Sequence, residues 1–399
     1  MVLTMLYYSS VTGQGFLAST YGPVLGLLSR PLQDGISAGS ASLQLNTLVT
    51  SISLAPPSSV PSFSGPVCQK ILIKTVPTST HTLTSTPNAS TPATQHIFDA
   101  VILAIPLGTL KCVHHTFFPA PPSPLSLPPR AVDAVKGLGY GRLEKVYLRF
   151  ERAWWGKEVV LMCFLANSGI GNCGIEDIPS IPHLTSFSLA AMPEPYAQPT
   201  LLFYLFGETA ASLVRKLNTL SDSGTEPVNS TTGKAGRKYA LERDTKGFNL
   251  LLQFFRPYLA RLYTATAAQR GEKKPATEGA PQPTHILHTS WSSDPLAGYG
   301  SYTQFPVGCE DTQGDVRILR SLGGRRGNYD RRYEGENDDE GAEVPGERAW
   351  DNLPVWLAGE FAATRKGLGT VAGAWWSGAE KGRRAREWFE GGGGKERGG

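Results

Sequence analysis

Residues Phe98-Asp-Ala-Val-Ile-Leu-Ala-Ile105 form a short, nearly continuous apolar run that stops at Pro106-Leu-Gly108. A strand with one wet face alternates apolar and polar residues, so a run without alternation fits a strand buried on both faces of a sheet. The Pro-Leu-Gly that ends it predicts a tight turn at the sheet edge, where ligands lie in open α/β sheets. Further strands are predicted over Leu43–Leu54, Gln69–Val76, Lys145–Phe150 and Val355–Gly359. A short helix is predicted over Ala131–Lys136 and another from about Ala374 to Phe389. Leu201–Leu217 and Phe248–Tyr263 each fit a helix or a strand-to-helix passage. This order of elements predicts an α/β or α+β architecture of two interleaved layers.

The remainder of the 399 residues is rich in breakers, with 44 Gly and 30 Pro. Pro/Ser/Thr tracts follow Leu54 and run up to Gln95, and polar linkers are expected at 221–247 and 271–283. The Gly, Arg and Asp/Glu block from Gly323 to Arg348 has almost no apolar residue to bury and is expected to be disordered. A net charge of +4, with basic residues scattered among acids, argues against nucleic acid as a partner. The five cysteines are widely separated and make no CxxC pair, so they read as reduced, intracellular thiols. The seven histidines show no ligand spacing, and no metal is expected. The opening Met1–Tyr8 run has no basic flank, and no apolar stretch approaches the ~20 residues of a membrane span. An intracellular, cytoplasmic protein is the expectation.

Three segments carry chemical groups in patterns that admit two readings. Lys145 opens an alternating strand, which places its amine at the mouth of a pocket or simply in solvent. Trp291, Tyr299 and Tyr302 share a glycine-punctuated loop, where aromatics either pack on the core or wall a pocket for a flat or cationic ligand. A strand, Glu360, then Gly367-Leu-Gly369-Thr370-Val371-Ala-Gly373 and a helix offer unpaired amides to a partial negative charge.

Together these segments resemble flavin-dependent amine oxidases of the polyamine oxidase, monoamine oxidase and lysine-specific histone demethylase type. Phe98–Lys111 is similar to the family's DAVIxxxPLGxLK, and Leu138–Phe150 with Trp154-Trp155 to LGxGxxxKVxLxFxxxFW. Trp291–Tyr302 is similar to WxxDPxxxGSY, with one extra residue between Pro295 and Gly300, and Val355–Gly378 to FAGExT and GTVxGAxxSG. Leu45–Ile52 resembles LNTxVxxI, and Tyr21-Gly22 opens a stretch like the family's GYxxLxxxL helix.

The resemblance implies an FAD-binding, Rossmann-like domain with an interleaved mixed-sheet substrate domain. It makes Lys145 the catalytic lysine that holds a water against the flavin N5, sets Trp291 against the isoalloxazine, and turns Tyr302 and Tyr299 toward the substrate amine. It gives the Val49 backbone to the adenine, Glu360 to the ribityl side, and the amides of Thr370 and Val371 to the flavin N1 and C2=O, where they stabilise the anionic reduced ring. Phe361 stands where family members often carry His.

The implied reaction oxidises a C–N bond of a polyamine-like amine to an imine, with O2 as acceptor and hydrogen peroxide as product. A histone-lysine demethylase-like oxidase and an inactive interaction module are the alternatives. The chain shows no GxGxxG turn for the FAD pyrophosphate. Thr12-Gly13-Gln-Gly15-Phe-Leu-Ala18 lies where the family begins a later helix and reads as a turn. The resemblance is therefore to the C-terminal part of the family. It predicts a partial FAD-binding domain over 1–112, a substrate domain over 113–310, a disordered insertion over 311–349, a C-terminal FAD-binding segment over 350–390 and a flexible tail.

Overall fold

A computed structural model describes residues 21–56, 69–77, 93–165, 175–178, 183–222, 239–241, 243, 245–271, 279–308, 312–324, 350, 353–363 and 367–390. In chain order the elements are α1 (Tyr21–Leu28), α2 (Arg30–Ser37), β1 (Thr47–Leu54), β2 (Ile71–Pro77), β3 (Thr94–Phe98), β4 (Val101–Leu103), α3 (Leu107–Phe117), α4 (Pro129–Gly137) and β5 (Gly139–Gly141). There follow β6 (Leu143–Arg149), β7 (Leu161–Leu165), β8 (His183–Ser188), β9 (Thr200–Phe206), α5 (Gly207–Asp222), β10 (Tyr239–Leu241), α6 (Lys246–Gln269) and β11 (His285–His288). The last are β12 (Tyr302–Gln304), α7 (Thr312–Ser321), β13 (Val355–Leu357) and α8 (Val371–Glu390). The chain separates into two compact units, one of residues 1–45 and 142–294, the other of residues 46–141 and 295–399.

The first unit is built on an antiparallel six-stranded sheet of order β10-β11-β6-β9-β8-β7. Strand alternation sends Val146 and Leu148 of β6 and Leu201, Phe203 and Leu205 of β9 into one core with Leu251, Phe254 and Phe255 of α6. Lys145 and Tyr147 alternate with those positions and stay half-buried on the other face. Leu201–Leu217 is a strand-to-helix passage, β9 into α5, whereas Phe248–Tyr263 lies wholly inside α6. The Thr245 hydroxyl caps α6 by accepting the Phe248 amide at 3.3 Å. Trp155 is buried in the core and donates its indole N–H to Ser188 Oγ at 2.8 Å. Strand β10 lies inside the stretch expected as a polar linker.

The second unit holds three smaller sheets: the antiparallel β1-β2-β3, the antiparallel β12-β5 and the parallel β13-β4. The apolar run at Phe98–Ile105 divides at Asp99-Ala100 into β3 and β4, which join different sheets, β3 pairing with β2 and β4 with β13. Val101 and Leu103 enter the core but Ile102 is 41% exposed, so β4 is covered on one face only among the described residues.

Pro106-Leu-Gly108 is the entry to helix α3 rather than a free turn. Pro106, extended at φ −60° and ψ 147°, occupies the N-cap position. Gly108 is required there, since a Cβ would lie 2.0 Å from the Gly298 carbonyl oxygen. Thr312–Ser321 forms α7 at the start of the segment from which disorder was expected, and it buries Val316, Ile318 and Leu319. Residues 325–349, the bulk of that block, lie outside the described residues.

The C-terminal half of α8 is tied to the end of α7. Lys381 Nζ, fully buried, donates to the Arg320 carbonyl at 2.6 Å, and Arg384 donates to the Arg320 and Gly323 carbonyls at 3.2 and 2.9 Å. Glu380 pairs with Arg320 at 3.0 Å and Lys381 at 3.2 Å. These cations occupy the carbonyls that the C-terminus of α7 leaves unpaired. No described helix is long and apolar enough to cross a membrane.

Candidate functional site

In the second unit Glu360, Tyr302, Thr370 and Val371 lie at the entry to α8. β13 leads into a 3-10 turn, Glu360–Ala362, that projects the half-buried Glu360 carboxylate toward β12. Its Oε1 accepts the Thr303 amide at 3.0 Å and the Thr303 hydroxyl at 2.6 Å, while Oε2 accepts the Gly369 amide at 2.7 Å. Glu360 thus joins β12 to the glycine turn before α8. Gly369 adopts φ +70°, and a side chain there would meet Tyr302 Cδ2 at 3.2 Å, so Tyr302 stands directly beside the turn.

Thr370 is the N-cap of α8. Its hydroxyl accepts the Gly373 amide at 2.9 Å and donates to the Gly367 carbonyl at 2.8 Å. The Thr370 amide is also engaged, donating to Gly367 O at 3.2 Å, so it is not the open donor expected of it. The Val371 and Ala372 amides take no acceptor among the described residues, and both residues are exposed. A 20-residue helix therefore presents two free N–H groups and the positive end of its dipole. Gly367 and Gly373 make the turn possible, since a Cβ on Gly373 would fall 1.9 Å from the Gly367 oxygen.

Val49 is half-buried on β1 opposite Thr75, at a bulge that precedes Ser51. Tyr299, at φ 59°, is 44% exposed on the turn before β12. Phe361 is fully buried in the core, where it has no polar role. Tyr140, which no sequence motif singles out, donates its hydroxyl to the Ala297 carbonyl at 2.8 Å. Burial and, second, the Glu360 charge push its pKa up to about 12, so it remains a neutral phenol.

In the first unit, β6 holds Lys145. Its amide donates to Thr289 Oγ1 at 2.8 Å and its carbonyl accepts the Thr289 amide at 3.0 Å. The Lys145 ammonium lies 5.6 Å from the centre of the Tyr204 ring, its cross-strand neighbour. Burial raises the Tyr204 phenol, and burial followed by Tyr204 raises Tyr147, so neither phenol is an anion near neutral pH. Trp291 is half-buried in the 3-10 turn Trp291–Ser293.

That turn is held by a residue that sequence reasoning missed, Glu144. It is 1% exposed and accepts Thr289 Oγ1 at 2.6 Å, the Trp291 amide at 3.1 Å, and the Ser292 amide and hydroxyl at 2.7 and 2.8 Å. A signal for it exists in the sequence: in an alternating strand a glutamate in phase with Val146 and Leu148 must face the core.

His288, 3% exposed, donates from Nδ1 to the Thr289 carbonyl at 3.0 Å, and burial lowers its pKa to about 4. Its folded-state pKa lies below the ordinary unfolded value, so protons bind the unfolded chain more tightly. Stability is then complete above about pH 6.5 and is lost as pH falls toward 4, by up to about 3 kcal/mol. Urea midpoints measured across this window should fall for the native protein and fall less for His288→Gln.

Two open amides at a capped helix N-terminus suit the electron-rich edge of a flavin ring, and in the first unit the Tyr204 and Tyr147 phenols on the Lys145 face of the sheet stay neutral. Among the described residues no cluster of His, Cys, Asp or Glu could hold a metal ion.

Known proteins resemble parts of this chain. The chain is 24% identical over 229 residues to Protein FLOWERING LOCUS D of Arabidopsis thaliana, covering 57% of this chain and 21% of that protein. It is 40% identical over 62 residues to Probable polyamine oxidase 4 of Arabidopsis thaliana, covering 16% of this chain and 11% of that protein. The matched stretches are thus a minor part of both relatives. Residues 30–381 match the flavin containing amine oxidoreductases as a family, and with most of its length covered the chain belongs to that family, whose members bind FAD.

Proposed function

We propose that this protein oxidises a C–N bond of a polyamine-like amine to an imine, with O2 as electron acceptor and hydrogen peroxide as product. The observation that supports this most is the capped N-terminus of α8, with the Val371 and Ala372 amides open and the Thr370 hydroxyl committed to the cap. Bound FAD supplies the two-electron acceptor for the hydride equivalent leaving the carbon next to nitrogen.

The chain's own residues do the rest. The open amides stabilise negative charge that develops at the ring edge they face. Glu360, through Thr303 and Gly369, fixes the turn from which those amides project. Lys145 holds a water in place and exchanges protons with it. Trp291 and Tyr302 offer aromatic faces that attract an arriving ammonium and tolerate the neutral amine that reacts. Tyr299, exposed on a neighbouring turn, adds a further substrate contact, and the Val49 backbone serves the adenine end.

Visible absorbance of the purified protein with added FAD tests this reading. Bound flavin that bleaches anaerobically with spermine or spermidine supports it. Bleaching by a dimethyl-lysine peptide but not by polyamines would transfer the substrate to a lysine side chain. Absence of bound flavin at saturating FAD would remove oxidase activity from this chain.

A further inference from the structure

Glu144 is a full-length carboxylate at 1% exposure, and no cation among the described residues pairs with it. Burying such a charge is costly unless hydrogen bonds replace water. Here the replacement is complete, with two donors on each oxygen. A glutamine or an apolar residue of similar size would fill a sheet core at lower cost, so the geometry calls for a function beyond packing.

The four donors define that function. Two are the consecutive amides of Trp291 and Ser292, which a negative charge fixes at the start of a 3-10 turn. A third, the Thr289 hydroxyl, passes the constraint on by accepting the Lys145 amide at 2.8 Å. One buried charge therefore sets the backbone at both Trp291 and Lys145. The two elements are far apart in sequence, and in β6 the carboxylate and the lysine point to opposite faces of the sheet.

We infer that Glu144, directly at Trp291 and through Thr289 at Lys145, is the positioning residue that holds the two in register for amine oxidation. The inference rests on the oxidase reading for its consequence on rate, and on geometry alone for its consequence on structure.

In Glu144→Gln one oxygen becomes an amide nitrogen, and two of the four donors face another donor. Thr289→Val breaks the relay while keeping the shape of the side chain, and Thr289→Ser restores it. Amide hydrogen exchange on the full chain reads the geometry without flavin. Faster exchange at Lys145, Trp291 and Ser292 in Glu144→Gln, and at Lys145 in Thr289→Val but not Thr289→Ser, is the expected result. With FAD bound, kcat should fall about tenfold to a hundredfold in Glu144→Gln and Thr289→Val, with KM within about twofold of the native value. Thr289→Ser should turn over like the native protein.

Unchanged exchange at these amides, or unchanged kcat in a folded Thr289→Val, overturns the inference. A uniform loss of protection across the sheet assigns Glu144 to stability alone and also overturns it. If the native protein and Thr289→Ser do not turn over any amine, the oxidase reading has failed, and the exchange pattern still decides the positioning role.

Discussion

Replacing Lys145 with methionine is expected to slow amine oxidation by about 10²–10⁴-fold, the range typical for loss of a positioned proton-transfer group. The fold should survive. Lys145 is half-buried on the face of the sheet opposite the core, and its backbone is held by Thr289, which reads only main-chain atoms. Removing the ammonium forfeits its cation–π attraction to the Tyr204 ring, worth about 0.5–1 kcal/mol at a partly exposed site. Methionine keeps the length and apolar stem but can neither hold a water as a charged donor nor return a proton. Rapid-mixing measurement of flavin reduction and reoxidation, beside a thermal melt, separates the two effects. An unchanged rate in both half-reactions would remove Lys145 from the chemistry.

Glu360→Ala should abolish retention of FAD through gel filtration and lower stability by about 3–5 kcal/mol. Three donors, the Thr303 amide and hydroxyl and the Gly369 amide, lose a charged acceptor at once. Hydrogen bonds to charged groups contribute about 1.5–3 kcal/mol each, but their losses do not add fully. The larger consequence is geometric. Gly369 sits in the left-handed conformation at the turn that aims α8, and among the described residues only Glu360 ties its amide to β12. Glu360→Gln keeps one acceptor and one of the two attachments, so intermediate affinity is expected. Native-like FAD affinity in Glu360→Ala would show that the turn holds its shape unaided.

Local chemistry made much of this legible in the sequence. The C-terminal helix was readable in kind but begins at Val371 rather than about Ala374, and the Thr370 cap emerges only from the structure. The period-two pattern placed Lys145 in a strand, which in fact begins at Leu143, whereas its chemical role came only from the family resemblance. The partners were harder, because hydrogen bonds such as Thr303 to Glu360 or Thr289 to Glu144 join residues that only the tertiary fold makes neighbours. Pro106-Leu-Gly108 looked like a turn because proline and glycine break regular structure. Its actual use as a helix start depends on close approach to Gly298, more than a hundred residues on. The unbroken apolar run at Phe98–Ile105 suggested a strand covered on both sides, but its two halves pair in different sheets and Ile102 stays exposed. Helix α7 went unread because its buried positions, Val316, Ile318 and Leu319, sit among polar residues at the margin of a charged block.

The buried cations that join α8 to the end of α7 bear on more than stability. Lys381 and Arg384 hold the distal half of α8 to carbonyls that cannot shift without breaking α7. The helix is thus clamped at its far end and capped at its near end, where only the Val371 and Ala372 amides stay open. When charge appears or disappears opposite Val371 and Ala372, the helix dipole is already aligned and has little freedom to follow. In the proposed oxidase a change of oxidation state at that end would carry a small reorganisation energy, since the dipoles that solvate it are set before the electrons arrive.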